Sequence, residues 1–180
     1  MAPDPAYCST CGTELDDREI EGRTRRYCHN CAKPIYRNPK PCAGVLVVDE
    51  QKHVLLVKRT QPPAAGSWSL PAGYLEADEP PQEAASRELH EETGLSVSTS
   101  DITLHDTNFV QHPSGQHILV VIYLTTRAST TGSPTPGSDA GAARFWDLEE
   151  IISSAQRIEP GYEGIFEAAV RVTNTTTSDR

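Results

Sequence analysis

Glu88, Glu91 and Glu92 stand at i, i+3 and i+4 in a stretch bounded by Pro80-Pro81 and Gly94. At 3.6 residues per turn, that stretch brings the three carboxylates onto one helix face. Like charges so spaced oppose the helix unless something neutralises them. A hard divalent cation does so, because Mg²⁺ takes oxygen ligands and keeps positions for water and phosphate. Three glutamates alone also describe a solvated acidic face, and their spacing does not choose between the two readings. The second constellation is sulfur. Cys8-x₂-Cys11 and Cys28-x₂-Cys31 are separated by the 16 residues Gly12–Tyr27. That is the spacing of a tetrahedral Cys₄ zinc ribbon, and four thiolates leave no open position, so the zinc would be structural. A redox Cys-x₂-Cys pair would need a βαβ context that this segment lacks. Cys42 is left over and reads as a buried strand residue, and His29 is not needed as a ligand.

The elements that must position these residues follow from composition and periodicity. Residues 1–41 show little apolar periodicity, so a metal must supply the order that a core cannot. From Cys42 the character changes. Residues 43–48 and 54–57 read as two strands around a turn at 49–52, and residues 61–78 read as a long loop with a short strand near Trp68. Residues 80–93 give the clearest helix, with proline in its first turn and Gly94 past its end. Strands are expected at about 101–111 and 117–126, then a flexible surface loop over 128–139. Phe145-Trp146 should start a last strand, and helices near 147–154 and 161–172 close the domain. The pattern is a mixed α/β domain over 42–172, a ribbon and linker over 1–41, and a flexible tail over 173–180.

Around the glutamates the residues run Gly73-x₅-Glu79-x₇-Arg87-Glu88-Leu89-x-Glu91-Glu92-x-Gly94-Leu95. All nine defined positions match the Nudix box, and the chain resembles the Nudix hydrolases over about residues 7–152. The resemblance implies an α/β/α sandwich with a mixed sheet, preceded here by the Cys₄ ribbon. It implies Mg²⁺ (or Mn²⁺) on Glu88, Glu91 and Glu92, one of which acts as the base toward water. Gly73, Glu79, Arg87 and Gly94 take structural roles, with Glu79 and Arg87 paired across the loop–helix junction. Family members often add an acid from outside the box. Asp139 is the candidate here, a turn-capping role being its alternative, and Glu149, Glu150 and Glu163 are weaker ones.

Tyr27-Cys28-x₂-Cys31 followed by Tyr36-Arg37-Asn38-Pro39-Lys40-Pro41 is similar to the subgroup holding ADP-ribose-, FAD- and NADH-type pyrophosphatases. Leu70-Pro71-Ala72-Gly73 is similar to the ADP-ribose branch, and residues 96–115 lack the Ser-Gln-Pro-Trp-Pro-Phe-Pro run that marks the NADH branch. The expected substrate is therefore ADP-linked, such as ADP-ribose or FAD; the alternatives are NADH and nucleoside triphosphates. Trp68, Tyr74 and Phe109 are candidate adenine platforms, and Arg59 is a candidate phosphate contact.

The formal net charge of −9, from 25 acidic and 16 basic residues, disfavours nucleic acid as a partner. Arg23, Arg25 and Arg26 form a small basic patch against that trend. No apolar run has membrane-span length, and the N-terminus lacks a signal-peptide pattern, so a cytoplasmic enzyme acting on a small nucleotide is expected. A homodimer is the assembly to be tested. A non-catalytic nucleotide sensor would require a DNA-binding module, and no helix-turn-helix pattern follows Glu150.

Overall fold

The computed structural model describes residues 4–62, 64–111, 115–137 and 140–175. The chain divides into two compact units, one of Met1–Pro39 with Gln111–His117, the other of Lys40–Val110 with Ile118–Arg180.

The smaller unit carries a three-stranded sheet, β1 (Asp16–Ile20), β2 (Arg23–Cys28) and β3 (Lys33–Ile35). Strands β1 and β2 join through Glu21 and Gly22, both at positive φ, the tight two-residue turn whose twist matches the strands. Among the described residues its apolar cluster is Cys8, Leu15 and Cys28, with Cys31 and Ile35 against them. So small a core supports the expectation that a metal orders this segment.

The larger unit is built on a seven-stranded sheet. Its main path runs β12 (Ala140–Trp146), β5 (Val54–Arg59), β4 (Lys40–Val48), β10 (His117–Thr126) and β9 (Thr103–Gln111), with β4 and β10 parallel. Strands β4 and β5 pair only at Val48↔Val54. Two short strands follow them where they part: β6 (Trp68–Ser69) on β5 and β7 (Ala72–Tyr74) on β4. Gly44 makes the approach of β7 feasible, since a Cβ there would lie 2.5 Å from Pro71 O and from Ala72 Cβ.

Period-two alternation along β4 sends Ala43, Val45 and Val47 to one face and Leu46 and Val48 to the other. The first face packs on Ala84, Ala85 and Leu89 of α1 (Pro81–Thr93). The second packs on Ile151 of α2 (Leu148–Ser153) and on Phe166 and Ala169 of α3 (Glu163–Thr175). The result is a mixed sheet with helices on both faces, an α/β/α sandwich.

Three expectations need correction. The 128–139 segment is a loop only in part: residues 132–137 are irregular, residues 138 and 139 lie outside the described residues, and the start has regular structure. A 3₁₀ turn at Arg127–Ser129 leads into β11 (Thr130–Thr131), which pairs with β8 (Ser96–Val97) directly after the helix. Phe145 and Trp146 end β12 rather than start it, because their strand pairs along β5 from Arg59 to Val54. Helix α3 continues to Thr175, with the Thr173 hydroxyl donating to Ala169 O at 3.3 Å, so the expected tail begins later than Thr173, and residues 176–180 lie outside the described residues. No helix among the described residues is long and apolar enough to cross a membrane.

Candidate active site and candidate zinc centre

Helix α1 starts as its sequence dictates. Pro80 caps it in an extended conformation, Pro81 occupies a position whose N–H would have no partner, and Glu83 sits in the first turn. It ends at Gly94, in the left-handed region at φ 70°, whose N–H donates to His90 O at 2.8 Å. Two further orphan carbonyls find donors outside the helix: Thr135 N–H reaches Thr93 O at 2.8 Å, and Gly137 N–H reaches Glu92 O at 3.0 Å. The segment expected to be loose therefore ties down the C-terminal end of the glutamate helix.

Arg87 organises the acidic face. Its Nε and Nη2 donate to the two Glu79 oxygens at 3.1 and 2.6 Å, a bidentate fork. Its Nη1 donates to Glu88 Oε1 at 2.7 Å and Glu91 Oε2 at 3.1 Å, and Nη2 reaches Tyr74 O at 3.1 Å. The loop from Gly73 to Glu79 is thus pinned to the helix by one guanidinium. The Arg87 hydrogen bonds hold the Glu79 carboxyl below the usual range. Glu88 goes the other way: burial pushes its carboxyl up, against the opposing pull of Arg87. Its side chain is 13% exposed and lies against Gly73, where a Cβ would collide with the carboxylate. Glu92 accepts from the Ala72 N–H at 3.1 Å.

The three glutamates share the helix, and Glu88 and Glu91 meet at Arg87 Nη1 while Glu92 turns to the Ala72 amide. Among the described residues, the one group of three or more potential ligand atoms within 4.8 Å of one another is the four cysteines. These residues fit Mg²⁺, which would be held by one or two of the carboxylates, with water and phosphate as its other ligands. Glu88 is the clearest fit, since its desolvated carboxylate gains most from a cation. Asp139 lies outside the described residues. Glu149 and Glu150 are on the first turn of α2, Glu150 within 3.5 Å of Arg144, and Glu163 opens α3.

Of the substrate candidates, Trp68 is corrected. It is 4% exposed, packs edge-to-face on Trp146 at 5.1 Å, and donates from its indole N–H to Gln156 at 2.9 Å, leaving no face for a base. Phe109, 53% exposed on β9, and Tyr74, exposed on β7 with Lys40 Nζ 5.1 Å above its ring, remain accessible. Arg59 ends β5 with Nη1 3.9 Å from Glu159.

Glu159 escaped the sequence reading. Residues 157–159 run parallel to β6, with Trp68 N–H on Arg157 O at 2.7 Å and Glu159 N–H on Trp68 O at 2.8 Å. That pairing carries Glu159 into the charged surroundings of Cys42. Burial raises the Cys42 thiol to about 12; Glu88 and Glu159 add to the rise, and Arg59 and Lys40 oppose it. No local pattern marks Glu159, because its placement depends on a contact some 90 residues away in sequence.

In the smaller unit the Sγ atoms of Cys8, Cys11, Cys28 and Cys31 all lie within 4.8 Å of one another, with Cys11 to Cys28 at 3.5 Å and Cys8 to Cys31 at 4.0 Å. Tetrahedral zinc–thiolate bonds of about 2.3 Å place sulfurs about 3.8 Å apart, so the donor set fits zinc. The two knuckles repeat one backbone device: Gly12 and Ala32, each just after the second cysteine of its pair, have φ of 72° and 50°. Thr13 draws the Cys11 thiol down to about 5, and Cys11 in turn pushes Cys31 up to about 12. A dipositive ion removes that conflict by favouring every thiolate. His29 pairs with Asp16 at 3.0 Å instead of joining the cluster.

The family model described as the NUDIX domain matches residues 38–169. The chain belongs to the NUDIX family. It is 30% identical over 105 residues to an ADP-ribose pyrophosphatase of Methanocaldococcus jannaschii, covering 58% of this chain and 60% of that protein. The chain thus spans less than two thirds of that relative's length. A crystal structure of a NUDIX hydrolase from Nitrosomonas europaea superposes with a TM-score of 0.65 at 24% identity, covering 98% of this chain and 94% of that one. The NUDIX domain of Shewanella oneidensis NrtR, crystallised with ADP ribose, gives 0.64 at 18% identity over 82% and 94% of the two chains. Both likenesses are of fold.

Proposed function

We propose that this NUDIX chain hydrolyses a nucleoside diphosphate linked to a second group, with ADP-linked compounds such as ADP-ribose or FAD preferred over NADH and nucleoside triphosphates. The observation that carries the hydrolase reading is the complete box from Gly73 to Leu95 in loop–helix form, with Glu88 seated over Gly73 and Glu92 on the Ala72 amide. Glu88, Glu91 and Glu92 would hold Mg²⁺ (or Mn²⁺). When bound, the cation neutralises the diphosphate and acidifies the attacking water. The chain's own part is positioning. Arg87 fixes the loop and sets the orientation of Glu88 and Glu91, and a glutamate of this face takes the proton of water. Arg59 reaches the phosphates, and Phe109 or Tyr74 offers a ring to the base. Asp139 stays a candidate for the additional acid.

The preference for an ADP-linked substrate rests on the Leu70–Gly73 pattern, the M. jannaschii relative's name and the ADP ribose in the NrtR structure. Measuring kcat/KM with Mg²⁺ over ADP-ribose, FAD, NADH and nucleoside triphosphates tests it, since that ratio reports transition-state discrimination. The highest ratio is expected for ADP-ribose or FAD, with AMP as product. A dominant triphosphate activity overturns the substrate assignment, and no Mg²⁺-dependent turnover on any of them overturns the hydrolase.

A further inference from the structure

The cysteine-bearing sheet has two unlike faces. The register Asp16↔Tyr27, Arg18↔Arg25 and Ile20↔Arg23 puts Arg18, Arg23, Arg25 and Tyr27 on one side, and Arg26↔Ile35 brings Tyr36 to the same side. The reverse side carries Asp17, Glu19 and Arg26 together with the cluster around Cys28. Arg18 and Arg25 are direct cross-strand partners, an arrangement of like charges that costs stability on its own. Each guanidinium lies over a ring: Arg18 is 4.6 Å from the centre of Tyr27, and Arg25 is 4.7 Å from that of Tyr36. An arginine held over a ring by this cation–π contact can still turn its N–H groups to a phosphate. The Arg25 stem is packed, its Nε enclosed, so the head is held in place. Tyr36 remains 51% exposed.

Charge distribution removes the main objection to an anionic partner. Up to Pro39 the chain has six acidic residues (Asp4, Glu14, Asp16, Asp17, Glu19, Glu21) and six basic ones (Arg18, Arg23, Arg25, Arg26, Lys33, Arg37). The formal net charge of −9 therefore belongs to residues 40–180, and the −2 that a Cys₄–zinc centre would add lies with the Cys28 cluster on the reverse face. On the arginine face Asp16 is engaged by His29, and the exposed Glu21 carboxylate approaches the partly buried Arg25 only at 3.7 Å, longer than a hydrogen bond, so a phosphate can take its place.

We propose that this face binds single-stranded nucleic acid, the arginines taking phosphates and Tyr36 taking an unstacked base. Paired aromatic and arginine surfaces suit single strands, because a base inside a duplex offers no free π-face. An acidic peptide would use the arginines but not the exposed ring.

The test uses the full chain and a short fluorescent RNA with a 5′-hydroxyl, which offers no diphosphate to hydrolyse. Anisotropy is measured across a salt series for the wild type, Arg18→Gln/Arg25→Gln, Tyr36→Ala and, from the reverse face, Asp17→Asn. Losing two phosphate contacts should lower the salt-dependence slope by roughly 1.4, at about 0.7 per contact on a single strand. Tyr36→Ala should weaken binding by about tenfold with the slope unchanged. Asp17→Asn should leave the arginine-face contacts in place. Zinc content reports whether each variant keeps the ribbon; if the double variant loses it, Arg18→Gln alone should lower the slope by about 0.7. No binding at low salt, equal binding by the arginine variants, or equal displacement by polyglutamate and unlabelled RNA would each overturn the proposal.

Discussion

Glu92 differs from its two neighbours on the helix face in what holds it: Glu88 and Glu91 share Arg87, whereas Glu92 accepts from the Ala72 amide. A glutamine at 92 keeps an oxygen for that amide and loses only the charge. Glu92→Gln should therefore melt like the wild type while kcat falls by about 100-fold or more, as expected where a cation supplies several kcal/mol. Unchanged turnover at saturating Mg²⁺ removes Glu92 from the mechanism. Gly73 makes a different demand. Its backbone is not left-handed, so alanine is conformationally acceptable there, but the added methyl collides with the Glu88 carboxylate. With Glu88 in its proposed role, Gly73→Ala should fold and lose about 100-fold in turnover, the order expected when a group acting in the reaction is displaced by about 1 Å. Steady-state kinetics beside a thermal melt separate the two effects; wild-type turnover would show that the position of Glu88 is not critical.

Helix α1 is an element held at both ends. Leu89 and Leu95 are fully buried against β4, the Glu79–Arg87 fork fixes the entering loop, and residues 135–137 satisfy the last carbonyls. Gly137 is the tightest point of that clasp, since a Cβ there would collide with Glu91 O. Gly137→Ala should cost about 1–3 kcal/mol, the usual range for overpacking. In a chain of this size that corresponds to roughly 2–4 °C of Tm per kcal/mol. Activity should fall with it, because the displaced segment leaves the carbonyls of Glu92 and Thr93 unpaired. A variant as stable as the wild type would return 132–137 to the status of a loose surface loop. Leu89→Ala should cost about 2–5 kcal/mol by opening a cavity beneath the glutamates.

At the scale of the molecule, two units are ordered by different means. The larger has apolar clusters on both faces of its sheet, while the smaller has, among the described residues, three buried apolar residues, two of them cysteines. About one zinc per chain is expected by elemental analysis. Cys28→Ser should release it and make residues 1–39 sensitive to protease, with the sandwich retaining its melting transition. A metal-free chain with a protease-resistant N-terminal unit would contradict the zinc assignment.

The glutamate helix, its caps and the pairing of cysteine knuckles were legible in the sequence because each rests on local chemistry. Proline opens a helix, glycine closes it, carboxylates three and four apart share a face, and two Cys-x₂-Cys pairs at ribbon spacing suit one tetrahedral ion. Distance in the chain hid the rest. The burial of Trp68 follows from its meeting with Trp146 and Gln156, and the arrival of Glu159 beside Arg59 follows from the parallel run of 157–159 along β6. The 130–137 segment is rich in residues that form loops anywhere, yet the open carbonyls at the end of α1 give it partners. Sequence thus determined which groups can do chemistry and which local elements carry them. Tertiary structure decided which of those groups meet, because burial and long-range hydrogen bonds are set only when distant strands close on one another.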